Sequence, residues 1–159
     1  MGEPRLTRDI DLTILASFGA EEAVDDGLLD RFEARIEDAR QFALRNRVAL
    51  LRTANGVPVD VALGALDFER RAVQRASPWD VKEAQLLTCC AEDLIVHKAF
   101  AGRDRDWLDI EGIIIRQGEY LDSELVFREL TPLAELKDSD DTIGRLQALF
   151  DVRKNESQQ

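Results

Sequence analysis

The sequence predicts an α/β (α+β) fold: a small mixed β-sheet with helices, followed by a C-terminal helical half. Three observations predict it. Near the start, Ile10, Leu12 and Ile14 alternate with Asp9, Asp11 and Thr13, the period-two pattern of a half-buried strand. Further on, Asn55-Gly56 stands between two apolar runs, which is hairpin chemistry. From Ala91 onward the apolar residues recur at helical spacing.

Taken in order, the alternating stretch is the first strand. Asp9 and Asp11 leave it on one face, above a strand whose other face is apolar. Like charges this close are held by a hard cation such as Mg²⁺ or simply face solvent, and the stretch by itself fits both. Ser17 to Gly27 is polar, with acids at Glu21, Glu22, Asp25 and Asp26, and reads as a loop. Leu28, Phe32, Ile36, Ala39 and Ala43 then predict one helix over 28–47. Strands follow over 48–53 and 57–63, joined by Ala54-Asn55-Gly56.

In the second of these strands Val57, Val59, Val61 and Leu63 share a face, and Pro58, Asp60 and Ala62 share the other. Pro58 implies an edge strand or a position outside the hydrogen-bond ladder. Asp60 either faces water at the strand end or is bound to a cation, because an unpaired buried carboxylate is costly. A short basic helix over 66–76 ends at Ser77-Pro78, and Gln85 to Thr88 is a further strand. Helices are expected over 91–102, 103–117 and 123–137, the third kinked or restarted at Pro132. Asp138 to Asp141 is a break before a last helix over 142–153. The expected organisation is an α/β core over 1–90, a helical half over 91–154 and a disordered tail over 155–159.

Composition narrows the function. No apolar run approaches the ~20 residues of a membrane span. The start of the chain carries no apolar signal region, so a cytoplasmic protein is expected. The net charge of −11 excludes a broad basic surface wrapped around nucleic acid, though not a local basic cleft or a metal-complexed nucleotide. Cys89 and Cys90 are adjacent, which suits neither a disulfide nor a metal knuckle, and they read as small apolar fillers.

The helices carry a second set of charges. At about 100° per residue, Lys98 falls inside the apolar arc of its helix, between Leu94 and Ile95. In the next helix Arg103 and Asp106 fall within the arc of Trp107, Ile110, Ile113 and Ile114, and Asp109 sits at its edge. Arg103 and Asp106 are also spaced as a mutual ion pair at the helix start. His97 lies near the polar edge, and a single histidine with no partnering nucleophile makes no hydrolase.

Three stretches together resemble a known family. They are Arg5-x-Thr7-x-Asp9-Ile10-Asp11-Leu12, then Pro58-Val59-Asp60-Val61, then Glu92-Asp93-Leu94-Ile95-x-x-Lys98 with Ala101-Gly102-Arg103-x-Arg105-Asp106-x-x-Asp109-Ile110. In this order they resemble the AbiEii-like (AbiEii/AbiGii toxin) nucleotidyltransferases of the DNA polymerase beta-type superfamily.

The resemblance implies a nucleotidyltransferase-type core in which Asp9, Asp11 and Asp60 hold two Mg²⁺ ions. It makes Lys98 the lysine that contacts the phosphates. It gives Arg5, Thr7, Arg103, Asp106 and Asp109 to the nucleotide or acceptor side. The implied activity is Mg²⁺-dependent transfer of a nucleotide from an NTP to an RNA, protein or small-molecule acceptor, as the toxin component of a toxin–antitoxin or phage-defence pair. The family carries a Gly-Gly or Gly-Ser phosphate-binding turn ahead of the paired acids. Here the expectation is a truncated or degenerate member without that turn or its strand and helix. Such a chain would have an open sheet edge and an uncovered apolar face, to be covered by an antitoxin or a second copy. The alternative is a catalytically incomplete remnant acting as a binding or assembly partner.

Overall fold

Four strands build the main sheet, in the order β1-β4-β3-β2: β1 (Ile10–Leu15), β2 (Glu33–Ala34), β3 (Val48–Arg52) and β4 (Pro58–Gly64). The structure, a computed structural model, describes residues 9–82, 84–137 and 140–156. It is a mixed α/β architecture, as the sequence predicts. β1 runs parallel to β4, and β3 is antiparallel to both β4 and β2. The Asn55-Gly56 turn joins β3 to β4, with Gly56 at φ +85°, a conformation that costs glycine little. Thr53 and Val57 close the turn through a 2.9 Å backbone hydrogen bond.

The chain divides into two compact units between Gln74 and Arg75. In the first, α1 (Glu21–Leu29) and α2 (Ala39–Asn46) pack on one face of the sheet. Ala43, Ala49, Leu51, Val59 and Val61 form the core there, with Leu28 and Leu29 against it. The expected face of β4 is therefore the buried one. α3 (Asp67–Arg75) follows and buries Phe68 and Ala72.

Two expectations are corrected here. The acidic stretch read as a loop is helical from Glu21, because α2 and the residue after it supply its counter-charges. Arg40 pairs with Glu22 and Asp26, and Arg47 pairs with Glu21. The single helix expected over 28–47 is broken, because Glu33 and Ala34 leave it to pair with Arg52 and Leu51. Arg35 extends that contact, its N–H donating to the Leu50 carbonyl at 2.9 Å. Without β2, β3 would be a second open edge. Pro58 is not on an edge strand, since β4 is paired on both sides. It is the first residue of β4, one position before the register with β1 begins at Ile10 and Val59.

The second unit begins with a hairpin of β5 (Ser77–Val81) and β6 (Ala84–Thr88). The sequence predicts β6 but not β5, because Ser77-Pro78 reads as a helix stop. α4 (Ala91–Ala101), α5 (Asp104–Gln117), α6 (Ser123–Lys137) and α7 (Asp140–Glu156) follow. α4 packs on α5 and α6, and α7 packs on α5 and α6. Ile95, Ile110, Ile113, Val126, Leu130 and Leu146 are essentially fully buried between them. α6 runs through Pro132 as one helix. α7 begins inside the expected break, whose Asp138 and Ser139 lie outside the described residues, and runs to Glu156, past the expected tail boundary. The boundary expected at residue 90 falls at 74/75 instead. The hairpin belongs to no part of the main sheet, and Arg75 is tied into the helical unit. Among the described residues, no helix is long and apolar enough to cross a membrane.

Candidate functional site

The register of β1 on β4 sets the first constellation. Asp11 lies directly opposite Asp60, within the run from Ile10 opposite Val59 to Leu15 opposite Gly64. Residues opposed in a parallel pair project to the same face, and neighbouring strands are ~4.8 Å apart. Two carboxylates from distant parts of the chain therefore share one face of the sheet. That face is the one opposite the Val59–Val61 core. Asp9 precedes β1 by one residue, in phase with Asp11, and is exposed. Arg5 and Thr7 lie outside the described residues.

Asp60 already has a cation. Arg35 donates from Nη2 to Asp60 Oδ1, and both side chains are part-buried. Asp11 has an interaction partner as well. Among the described residues, no group of three or more His, Cys, Asp or Glu is placed to hold a metal ion. The donor chemistry of the Asp11–Asp60 face, hard carboxylate oxygens from adjacent strands, suits a hard divalent cation. Arg35 would have to yield Asp60 to it.

The second constellation belongs to the helical unit. Lys98 on α4 extends its ammonium to Asp109 Oδ2 at 2.6 Å and to Asp106 Oδ1 at 3.6 Å, both on α5. The Lys98 side chain is only 18% exposed and that of Asp106 only 13%, so this is no solvated surface pair. Asp106 also accepts from the Arg103 backbone N–H at 3.3 Å, while its carboxylate stands 3.9 Å from the Arg103 guanidine. The ion pair at the helix start and the inward cluster are thus both present. Gly102, at φ +71°, ends α4 and lets the chain turn directly into α5, which brings Lys98 beside Asp106 and Asp109. Arg103, expected within the apolar arc, is instead 81% exposed, because it precedes the first helical residue with an extended backbone and the helical period does not carry to it.

Sequence reasoning missed a third cluster. Arg75 grips Asp93 bidentately, Nη2 to Oδ1 at 2.6 Å and Nε to Oδ2 at 3.1 Å, and donates to Glu129 Oε1 at 2.9 Å. Asp93 is 0% and Glu129 3% exposed. Asp93, then Glu129, hold the Arg75 guanidinium more firmly charged, against the opposing effect of burial. The signal for Glu129 was partial, since it sits at the edge of the helical arc of Val126, Leu130 and Leu133, about 40° outside it at about 100° per residue. Cys90 is a helix cap rather than a filler. Its sulfur accepts from the Asp93 N–H at 3.5 Å and its thiol donates to Asp93 Oδ2 at 3.2 Å. Burial pushes the Cys90 thiol up to about 12, with the Asp93 carboxylate adding to the rise and the Asp93 N–H opposing it. Cys89 is exposed. His97 is half-buried and has an interaction partner.

The sequence-predicted residues thus gather into two sets, Asp9 with Asp11 and Asp60 in the first unit, and Lys98, Arg103, Asp106 and Asp109 in the second. No protein-family model matches the chain, and no curated protein sequence matches it either.

Proposed function

We propose that the chain is an AbiEii-like, Mg²⁺-dependent nucleotidyltransferase, transferring a nucleotide from an NTP to an RNA, protein or small-molecule acceptor. The observation that carries the reading is the parallel register that sets Asp11 against Asp60 on one face, with Asp9 in phase. These three carboxylates would hold the Mg²⁺ ions. The metal would neutralise phosphate charge and activate the acceptor hydroxyl. The residues' own work is positioning and charge placement, the main demand of phosphoryl chemistry. Lys98, oriented by Asp106 and Asp109, supports the reading as a held cation suited to phosphate oxygens. The toxin role, with an antitoxin as partner, is part of the same proposal.

The test is incubation with Mg²⁺, α-labelled NTPs and cell extract, beside the double variant Asp9→Ala and Asp11→Ala. Label transferred by the wild type and not by the variant is the expected result. Equal labelling, or none, removes the enzyme reading for this chain.

One observation favours the alternative, a catalytically incomplete partner protein. The Arg35 guanidinium sits on Asp60, where the metal would bind. In that reading Arg35 replaces the cation. Added Mg²⁺ then leaves the wild-type melting temperature unchanged and raises that of Arg35→Ala, since a ligand bound only by the folded state stabilises it.

A further inference from the structure

β1 is an outer strand with an unfinished edge. The sheet order leaves it hydrogen-bonded to β4 on one side, with no strand on the other among the described residues. Ala16 donates its N–H to the Gly64 carbonyl at 2.7 Å, and inward and outward groups alternate along a strand. The N–H groups of Thr13 and Leu15 therefore point to the outer side. Within Ile10–Leu15 there is no proline and no lysine, two of the devices that blunt an edge.

The side chains of the strand tell the same story. Ile10, Leu12 and Ile14 lie on the face of Val59, Val61 and Leu63. Those three valine and leucine side chains are at most 4% exposed, whereas Ile10 is 44%, Leu12 46% and Ile14 36% exposed. The core is complete at β4 and stops short at β1. On the opposite face the same strand presents Asp11, with Asp9 just before it.

We propose that the outer edge of β1 docks an extended segment of a partner protein in which apolar residues alternate with Lys or Arg. Such a segment adds a strand to the sheet, its backbone pairing with Thr13 and Leu15. Its apolar residues cover Ile10, Leu12 and Ile14, and its basic residues stand beside Asp9 and Asp11. A second copy of the chain is the wrong occupant on charge. Pairing β1 with another β1 sets acids opposite or diagonal to acids, which destabilises a cross-strand pair. The net charge of −11 on each copy adds repulsion at longer range. The inference rests on this edge and on the charge of Asp9 and Asp11 with no metal on them, so the peptides below are tested without Mg²⁺.

Fluorescence anisotropy with labelled peptides of defined pattern tests it. A peptide alternating Lys and Val is expected to bind the full chain. A peptide with Glu in place of each Lys is expected not to bind. A peptide of the same Lys and Val content with the two types segregated should bind at least about tenfold more weakly, a difference of ~1.4 kcal/mol. Thr13→Pro, which blocks an outward N–H on an edge where proline is tolerated, should weaken the alternating peptide at least as much while the circular dichroism spectrum stays unchanged. If that variant does not fold, the segregated peptide decides. Equal binding of alternating and segregated peptides, or no binding, overturns the proposal. Self-association in sedimentation that Thr13→Pro abolishes assigns the edge to a second copy and overturns it as well.

Discussion

At the scale of single residues, buried carboxylates act in opposite directions according to whether they are paired, and two sites carry predictions. Asp25 on α1 is 1% exposed, and neither carboxylate oxygen accepts a hydrogen bond from a described residue. Burial pushes its carboxyl up, with Arg40 acting in the opposite direction. The folded state therefore favours the protonated form. The stability Asp25 contributes is fully present below the ordinary aspartate range and is lost as the pH rises through its raised value. Replacing it with Leu should stabilise the protein by about 1–3 kcal/mol at neutral pH. The gain should shrink towards pH ~4, the ordinary aspartate range, as read by urea denaturation at both pH values. Arg75 carries the opposite prediction. Arg75→Met leaves Asp93 and Glu129 buried without their shared guanidinium, and should cost about 3–5 kcal/mol in the same measurement. Lys98 was legible as an inward charge because its own helix has a period to measure it against. Asp93 was not, because a carboxylate in a first helical turn is sufficiently explained by the helix dipole.

At the scale of elements, helix ends decide where side chains arrive. Gly102 closes α4 in the left-handed region, its N–H donating to the Lys98 carbonyl at 2.9 Å. An alanine there meets open space apart from the Ala99 carbonyl at an ordinary 3.5 Å, so the cost is backbone strain. Gly102→Ala should lower stability by about 1–2 kcal/mol, seen as a reduced denaturation midpoint with an unchanged slope. The β3–β4 hairpin and helices α3 to α6 were legible because turn residues and apolar period agree there. α1, β2 and β5 were not. α1 depends on Arg40 and Arg47 from later in the chain, and β2 exists because β3 needs a neighbour. β5 carries Pro78 and pairs only with β6, and Trp79, Leu86 and Leu87 on the hairpin are each at least half exposed. None of these causes lies within the segment's own residues.

At the scale of the molecule, an excess of acids is the dominant property. With 32 acidic against 21 basic residues, the folded chain repels itself. Raising the ionic strength from about 0.01 M to about 0.15 M shortens the Debye length from ~30 Å to ~8 Å. The melting temperature should rise over that range; a fall would mean that the arginine–carboxylate pairs outweigh the general repulsion. The sequence by itself determined the fold class, the strands bearing Asp11 and Asp60, and the inward aim of Lys98 and Asp106, though it also aimed Arg103 inward, which is exposed. Periodicity and turn chemistry are local, and each of these features is written within a few residues. Only the tertiary structure decided that Asp11 stands opposite Asp60, that Arg35 holds Asp60, and that Arg75 joins Asp93 to Glu129. It also decided that, among the described residues, β1 is the outer strand of the sheet, with its apolar face half bare. Strand order and register are set by which distant surfaces bury each other best, and no short window of sequence contains that competition.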